Sequence, residues 1–224
     1  GDFNGDGRDD CMVVEKGFYV SNASGGFENK AGGLSVFLKT RNSYPHKVYQ
    51  TDFNDDGLPD FVVSNARGGM EIIYANLGGG ELKEIARSGG WDADPVVICD
   101  VDNDGKEDVC IGGPALDVTI FLNKSAGNIG VNIYARADKP NPYAVGAKVE
   151  IFKAGELGKA GARPIRQAHA PCNGLPVHAG LGAAKSLDLR VTFPGKEKKA
   201  VELKNVEAKP RLKITPDGKL EEVK

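Results

Sequence analysis

Asp2, Asn4, Asp6 and Asp10 occupy positions 1, 3, 5 and 9 of a nine-residue stretch that carries Gly7 at position 6. The pattern returns twice, as Asp52, Asn54, Asp56, Gly57 and Asp60, and as Asp100, Asp102, Asp104, Gly105 and Asp108, with starts 50 and 48 residues apart. Alternate residues of a tight loop can point inward together, so positions 1, 3 and 5 converge on one point, and glycine at position 6 permits the sharp turn. Such a gathering of hard oxygen donors suits Ca2+, which takes about six to eight oxygens. Position 7 can add a backbone carbonyl, from Arg8, Leu58 or Lys106, and the aspartate at position 9 closes the shell. The spacing therefore predicts about three Ca2+ ions, one per loop. Asp9 and Asp55 fall between ligand positions and are expected to face solvent.

Hairpin turns also favour Asp, Asn and Gly, but turn chemistry alone does not require one pattern to persist three times while the intervening residues vary. Carboxylates clustered in this way repel one another unless a cation sits among them. An EF-hand is excluded: it needs Glu at position 12, where this chain has Val13, Val63 and Ile111, and it needs flanking helices.

The elements that must position these loops read as strands. Short apolar runs follow each loop (Cys11–Val14, Phe61–Val63, Val109–Ile111), and second runs end in asparagine (Phe18–Asn22, Ile72–Asn76, Val118–Asn123). Small residues come next, and strand-like segments precede the second and third loops at Lys47–Gln50 and Pro95–Ile98. A period of about 40–50 residues with four strands is the signature of a propeller blade, and blades must stack because one sheet cannot cover both its faces. About two and a half blades are visible, of the roughly four to eight that propellers hold. The chain opens inside a loop, at Gly1 and Asp2 without an initiating Met, so further blades and any targeting signal are expected on its N-terminal side.

Near residue 127 the composition changes. Residues 1–127 hold 11 Lys/Arg against 21 Asp/Glu and residues 128–224 hold 18 against 10, so −10 and +8 underlie the net charge of −2. Ten acids of the first part sit at ligand positions, so bound cations would relieve much of its self-repulsion. The expected division is residues 1–127 as calcium-binding blades and 128–224 as a compact β-sandwich-like domain. Its candidate strands are Ile129–Ala137, Val145–Lys153, Pro164–His169, Ser186–Phe193, Ala200–Val206 and Arg211–Thr215. With 30 Gly and 7% aromatics the fold class is all-β, and no segment supports a helix longer than two turns. No apolar run approaches the roughly 20 residues that span a bilayer.

The residues now carry a resemblance. The loops resemble those of FG-GAP (VCBS) repeats, as in integrin α-subunit propellers and many secreted bacterial proteins. Ile129-Gly-Val-Asn132, Val145-Gly-Ala-Lys-Val-Glu-Ile151, His178-Ala-Gly-Leu-Gly182 and Leu187–Gly195 resemble the ASPIC/UnbV domain. The pairing is similar to the cartilage acidic protein family. It implies a propeller of about seven blades, a secreted or surface location and no established catalytic centre. Ligand positions carry over at all three loops; Asp102 replaces the usual Asn and still coordinates.

Other constellations point less far. His169, Cys172 and His178 could be transition-metal ligands, but no fourth ligand is evident, and structural histidines with a free thiol are the simpler reading. Of Cys11, Cys99, Cys110 and Cys172, three or four are expected as buried free thiols, with a Cys99–Cys110 disulfide as the alternative. His46 reads as polar surface in a loop before a strand. Trp91 reads as packing, with sugar stacking as the alternative. Asn22-Ala-Ser24 and Asn123-Lys-Ser125 are formal glycosylation sequons, but both coincide with the repeat's asparagine. Lys196, Lys198 and Lys199, and Lys209, Arg211 and Lys213, form basic surfaces without interleaved aromatics, which disfavours nucleic acid. No nucleophile elbow, Walker loop or dinucleotide fingerprint is present.

The leading expectation is a non-enzymatic, calcium-stabilised protein for extracellular or periplasmic protein interaction or adhesion. The alternatives are a scaffold or accessory subunit of a larger envelope or lumenal complex, a glycan-binding lectin, and last a hydrolase whose catalytic part lies outside this segment.

Overall fold

The computed structural model describes residues 1–4, 6, 8–13, 17–30, 46–65, 71–79, 81–87, 95–112 and 118–223. Every regular element among them is a strand. Three antiparallel meanders come first. One joins β1 (Cys11–Val13), β2 (Gly17–Ser21) and β3 (Phe27–Lys30). The second joins β4 (His46–Thr51), β5 (Asp60–Asn65), β6 (Glu71–Asn76) and β7 (Leu82–Arg87). The third joins β8 (Val96–Cys99), β9 (Asp108–Gly112) and β10 (Val118–Phe121). Each metal loop precedes a strand of its sheet, and loops two and three bridge antiparallel neighbours, as the repeat unit requires. His46, expected in a loop, is the first residue of β4.

Among the described residues two small cores hold these sheets, and each contains the aromatic at position 2 of a metal loop. Phe3 packs with Phe61, Val63, Ile72, Tyr74 and Leu82, its ring edge-on to Phe61 at 5.3 Å. Phe53 packs with Val62, Ile73, Val96, Val109 and Ile111. The second blade is thus buried on both faces, as β6 shows by having all six residues buried. Burial pushes the Tyr74 hydroxyl up to about 12, with the Glu84 charge adding to the effect. Val101, at the same position of loop three, is 40% exposed.

The remaining strands are β11 (Gly130–Ala135), β12 (Lys148–Lys153), β13 (Arg166–His169), β14 (Val177–Gly180), β15 (Ser186–Thr192), β16 (Ala200–Glu207), β17 (Arg211–Ile214) and β18 (Leu220–Glu222). They form two four-stranded sheets, ordered β14-β11-β17-β18 and β13-β12-β15-β16. β14 and β18 are additional to the strands expected from sequence. Val131, Ile133, Leu212 and Ile214 of the first sheet and Val149, Ile151, Leu187, Leu189 and Val191 of the second share one apolar core. Each large aliphatic side chain buried there contributes about 1.5–3 kcal/mol. This is a β-sandwich whose inward residues alternate along β11, β12, β15 and β17.

By contact, the chain forms two compact units that interleave in sequence. One comprises residues 1–54, 58–99 and 108–123, the other 55–57, 100–107 and 124–224. All four cysteines are free thiols, but none is fully buried. Cys11 lies on edge strand β1 and Cys172 in the turn after β13, and both are exposed, which corrects the expectation of buried thiols. Cys99 and Cys110 are half-buried on adjacent strands, where Cys99 pairs with Asp108 and Cys110 with Val97, two residues out of register for a direct cross-strand pair.

Candidate metal loops

The closing aspartates are the most deeply placed of the expected ligands. Asp10 is buried and accepts hydrogen bonds from the backbone N–H of Phe3 (2.9 Å) and Ser21 (2.8 Å). Asp60 accepts from Phe53 (2.8 Å), Asn54 (3.1 Å) and Asn76 (2.7 Å). Asp108 accepts from Asn123 (2.7 Å). Each therefore ties its own sheet together, and in loops one and two the same carboxylate also holds the loop's position 2. A carboxylate satisfied by backbone N–H groups remains charged at low cost, because hydrogen bonds to an ionised acceptor are the strong ones.

The repeat asparagines extend this bracket between blades. Asn76 donates its side-chain amide to the carbonyls of Phe3 (2.8 Å) and Pro59 (3.1 Å), and Asn123 donates to that of Phe53 (2.5 Å). Each thus grips position 2 of the preceding loop. Asn123 is buried, so the repeat accounts for this sequon. Asn22 instead closes its own turn, accepting from Ser24 and Gly26. Sequence showed the asparagines recurring but not their role.

The ligand positions differ among the loops. In loop one, Asp6 N–H donates to Asp2 Oδ1 (3.1 Å) and Asn4 Oδ1 (2.9 Å), which draws positions 1, 3 and 5 together, and Asp6 takes Arg8 N–H at 2.9 Å. In loop two, Asp52, Asn54 and Leu58 are half-buried, Asp56 is exposed and Asp60 is buried. Gly57 and Gly105, at position 6, have φ of 91° and 94°. Position 4 is left-handed too, at Asp55 (57°) and Asn103 (64°), residue types that tolerate that region. Loop one has Gly5 there, so this requirement was visible in the sequence.

Loop three gathers carboxylates most closely. Asp100, Asp102 and Asp108 each bring an oxygen within 4.8 Å of the others, and no other such acidic or His/Cys group occurs among the described residues. Asp100 Oδ2 accepts from Gly105 N–H and from the Asn132 side-chain amide, both at 3.1 Å, while its buried Oδ1 has no hydrogen-bond partner. Burial, with the neighbouring Asp104 charge, holds the Asp100 carboxyl above its usual range. Asp104 accepts Lys106 N–H (3.0 Å), and the Lys124 ammonium pairs with both Asp102 and Asp104. That pairing lowers the Asp102 carboxyl and raises Lys124.

Asp55 corrects its expectation. It is fully buried, paired with Lys106 Nζ (2.6 Å) and His178 Nε2 (3.0 Å). Its partners lie 51 and 123 residues away, beyond the reach of spacing arguments. Asp9, by contrast, is almost fully exposed, as expected. His178 is buried and its Nδ1 lies 3.0 Å from Asn132 Oδ1, whereas His169 and Cys172 are exposed, so this trio is not a ligand set. Lys209 and Lys213 are paired with Glu207 (2.8 Å) and Glu221 (2.5 Å). Trp91 lies outside the described residues.

Residues 52–111 match the FG-GAP-like repeat family, and residues 137–221 match the ASPIC and UnbV family. No curated protein and no solved structure matches the chain.

Proposed function

We propose that this chain, which joins an FG-GAP-like repeat to an ASPIC and UnbV domain, is a non-catalytic calcium-binding protein that mediates extracellular or periplasmic protein interaction or adhesion. FG-GAP repeats commonly bind Ca2+, and the two domain types suggest extracellular interaction or adhesion. No helix among the described residues is long and apolar enough to cross a membrane. Loops of this kind suit compartments where calcium is plentiful and dissociation constants of about 10⁻⁴–10⁻³ M suffice.

The observation that carries the metal reading is in loop three. Three carboxylates converge there, and the buried Asp100 Oδ1 has no protein partner. An acceptor so placed costs about 1–3 kcal/mol unless something satisfies it, and a hard cation is what three convergent carboxylates fit. The proposed ligands are Asp100, Asp102, Asp104, Asp108 and the Lys106 carbonyl, with Asp2, Asn4, Asp6, Arg8 and Asp10, and Asp52, Asn54, Asp56, Leu58 and Asp60, in the corresponding roles. When bound, Ca2+ supplies charge neutralisation and cross-linking. The chain's own residues supply the donors, and the buried closing aspartates fix where those donors stand.

Isothermal titration of the whole chain with CaCl2, with MgCl2 as the control, tests this reading. Saturable calcium binding at up to about three sites, with affinity in the range above, is expected. No heat of binding up to 10⁻² M calcium, or equal response to magnesium, overturns it.

A further inference from the structure

Strands alternate their side chains between two faces. On β11 the core takes Val131, Ile133 and Ala135, and on β14 it takes Val177 and Ala179. Asn132 and His178 therefore point to the opposite face, where they form a direct cross-strand pair. An outer face is normally wet, yet Asn132 is 1% and His178 5% exposed. The cover is the tips of metal loops two and three, residues 55–57 and 100–107, which fold as part of this unit.

The fit is close and polar. A Cβ on Gly130 would stand 2.4 Å from Asp55 Oδ1 and 2.9 Å from the Gly105 carbonyl, and one on Gly105 would stand 2.7 Å from Pro210 Cβ. Gly182 N–H donates to the Asp55 carbonyl at 2.8 Å. Asn132 donates to Asp100 Oδ2, which orients its carbonyl oxygen toward His178 Nδ1. His178 Nε2 faces Asp55 Oδ1, so each ring nitrogen lies 3.0 Å from a side-chain oxygen. Asp55 is also paired with Lys106, a residue of loop three itself. The chain of contacts Asp100–Asn132–His178–Asp55–Lys106 thus begins and ends on loop three.

Resting on the calcium reading above, we infer that Asn132 and His178 are positioning residues for the loop-three metal, so that ion binding there and docking of the loop tips on the β11–β14 face are one coupled equilibrium. With its Oδ2 tied to Asn132 and Gly105, Asp100 presents Oδ1 to the cation. Hydrogen-bonding partners of metal ligands act in this way, and losing one lowers metal affinity about 10- to 100-fold. Coupling is reciprocal, so calcium must also order the sheet's outer face.

Amide NMR of the full chain resolves the loops separately during titration with CaCl2. The Gly105 amide reports loop three, and the Asp6 amide reports loop one, which has no part in this network. Asn132→Ala is expected to weaken the loop-three midpoint about ten-fold while loop one titrates as in wild type, and to abolish the calcium-dependent shift of the His178 ring nitrogens that the wild-type chain is expected to show. Lys106→Met, which keeps the carbonyl ligand and alters a half-buried side chain, serves if Asn132→Ala fails to fold; a smaller weakening confined to loop three is expected. If wild-type loop three responds to calcium but the folded variants titrate like wild type, the positioning role is overturned and the metal reading survives. If wild-type Gly105 does not respond at all, the metal reading fails and this inference with it.

Discussion

The blade sheets and the C-terminal sandwich are both all-β, but different forces hold them. The sandwich has a single core of 18 buried apolar residues drawn from both sheets. Among the described residues the blade sheets have two cores of six each, and much of what joins them is polar: Asp10, Asp60 and Asp108 gripping backbone N–H groups, and Asn76 and Asn123 gripping the carbonyl at position 2 of the preceding loop. An apolar core is indifferent to metal and to moderate acid. A carboxylate bracket beside a cation site is sensitive to both. The blades have therefore placed part of their stability in groups whose charge the solvent controls.

The sharpest way to break that contrast is Asp60→Ala. It strands three backbone donors, those of Phe53, Asn54 and Asn76, at about 1–3 kcal/mol for each one left buried without an acceptor. Loss of cooperative blade unfolding in urea, followed by amide signals of β5 and β6, is expected, with sandwich signals retained. Leu189→Ala should do the converse. It opens a hole at a fully buried position and costs about 2–5 kcal/mol, lowering the urea midpoint of β12 and β15 amides while leaving β5 and β6 in place. If either variant lowers both midpoints equally, the two regions are not held independently.

Calcium removal should separate them less violently. At a free concentration about 100 times the dissociation constant, a bound ligand adds about 2.7 kcal/mol. EDTA is accordingly expected to lower the melting transition of the blades by several degrees, read by calorimetry. The sandwich core should be affected only through the tips of loops two and three. A chelator-independent thermogram removes the metal from the stability of the blades.

What was legible in the sequence was whatever repeats or lies close along the chain. Positions 1, 3, 5, 6 and 9 are a local pattern, and the alternation of Leu187, Leu189 and Val191 announces a strand. β14 is not legible because Val177–Gly180 is short and ends among glycines, nor is β18, because Leu220–Glu222 has one apolar residue. The burial of Asp55 is hidden for a deeper reason. Spacing shows that position 4 does not point at the metal, but whether it meets water or protein depends on His178 and Lys106. Gly130, Asn132, His178 and Gly182 had carried a family resemblance without a role; the fold puts all four against the loop tips.

The sandwich does contain one carboxylate bracket, and it sharpens the comparison. Asp188 is buried and accepts from Leu157 N–H (3.0 Å) and Asn205 N–H (2.8 Å). Burial opposes its charge, but these backbone donors, with that of Gly155, outweigh it and hold the carboxyl below its usual range. A depressed folded value means that the stabilisation is complete above the unfolded value of about 3.9 and is lost as pH falls through the lower, folded one. Asp188→Asn should therefore flatten the acid limb of sandwich stability below about pH 4, measured by urea midpoints at pH 3 and pH 6. An unchanged difference between the two pH values would remove Asp188 from the acid response.

The smallest expected effect distinguishes loops rather than domains. The residue after the repeat asparagine is Ala23, Leu77 or Lys124, so loop three alone receives a cation from its own chain at that point. Lys124 pairs with Asp102 and Asp104, two of the proposed ligands. An ammonium there lessens the repulsion of the empty loop, but it must yield as calcium enters, so it stabilises the free loop more than the filled one. Because the pair is exposed and screened, replacing the cation should strengthen loop-three calcium binding only about two- to five-fold. Lys124→Leu, which installs the residue of loop two, is expected to shift the Gly105 midpoint by that factor at low salt and by less in 0.5 M KCl. Weaker binding in the variant would mean that Lys124 supports the filled loop, and the difference between loops two and three would then have to come from Asp102 and from the asparagine that holds Asp100.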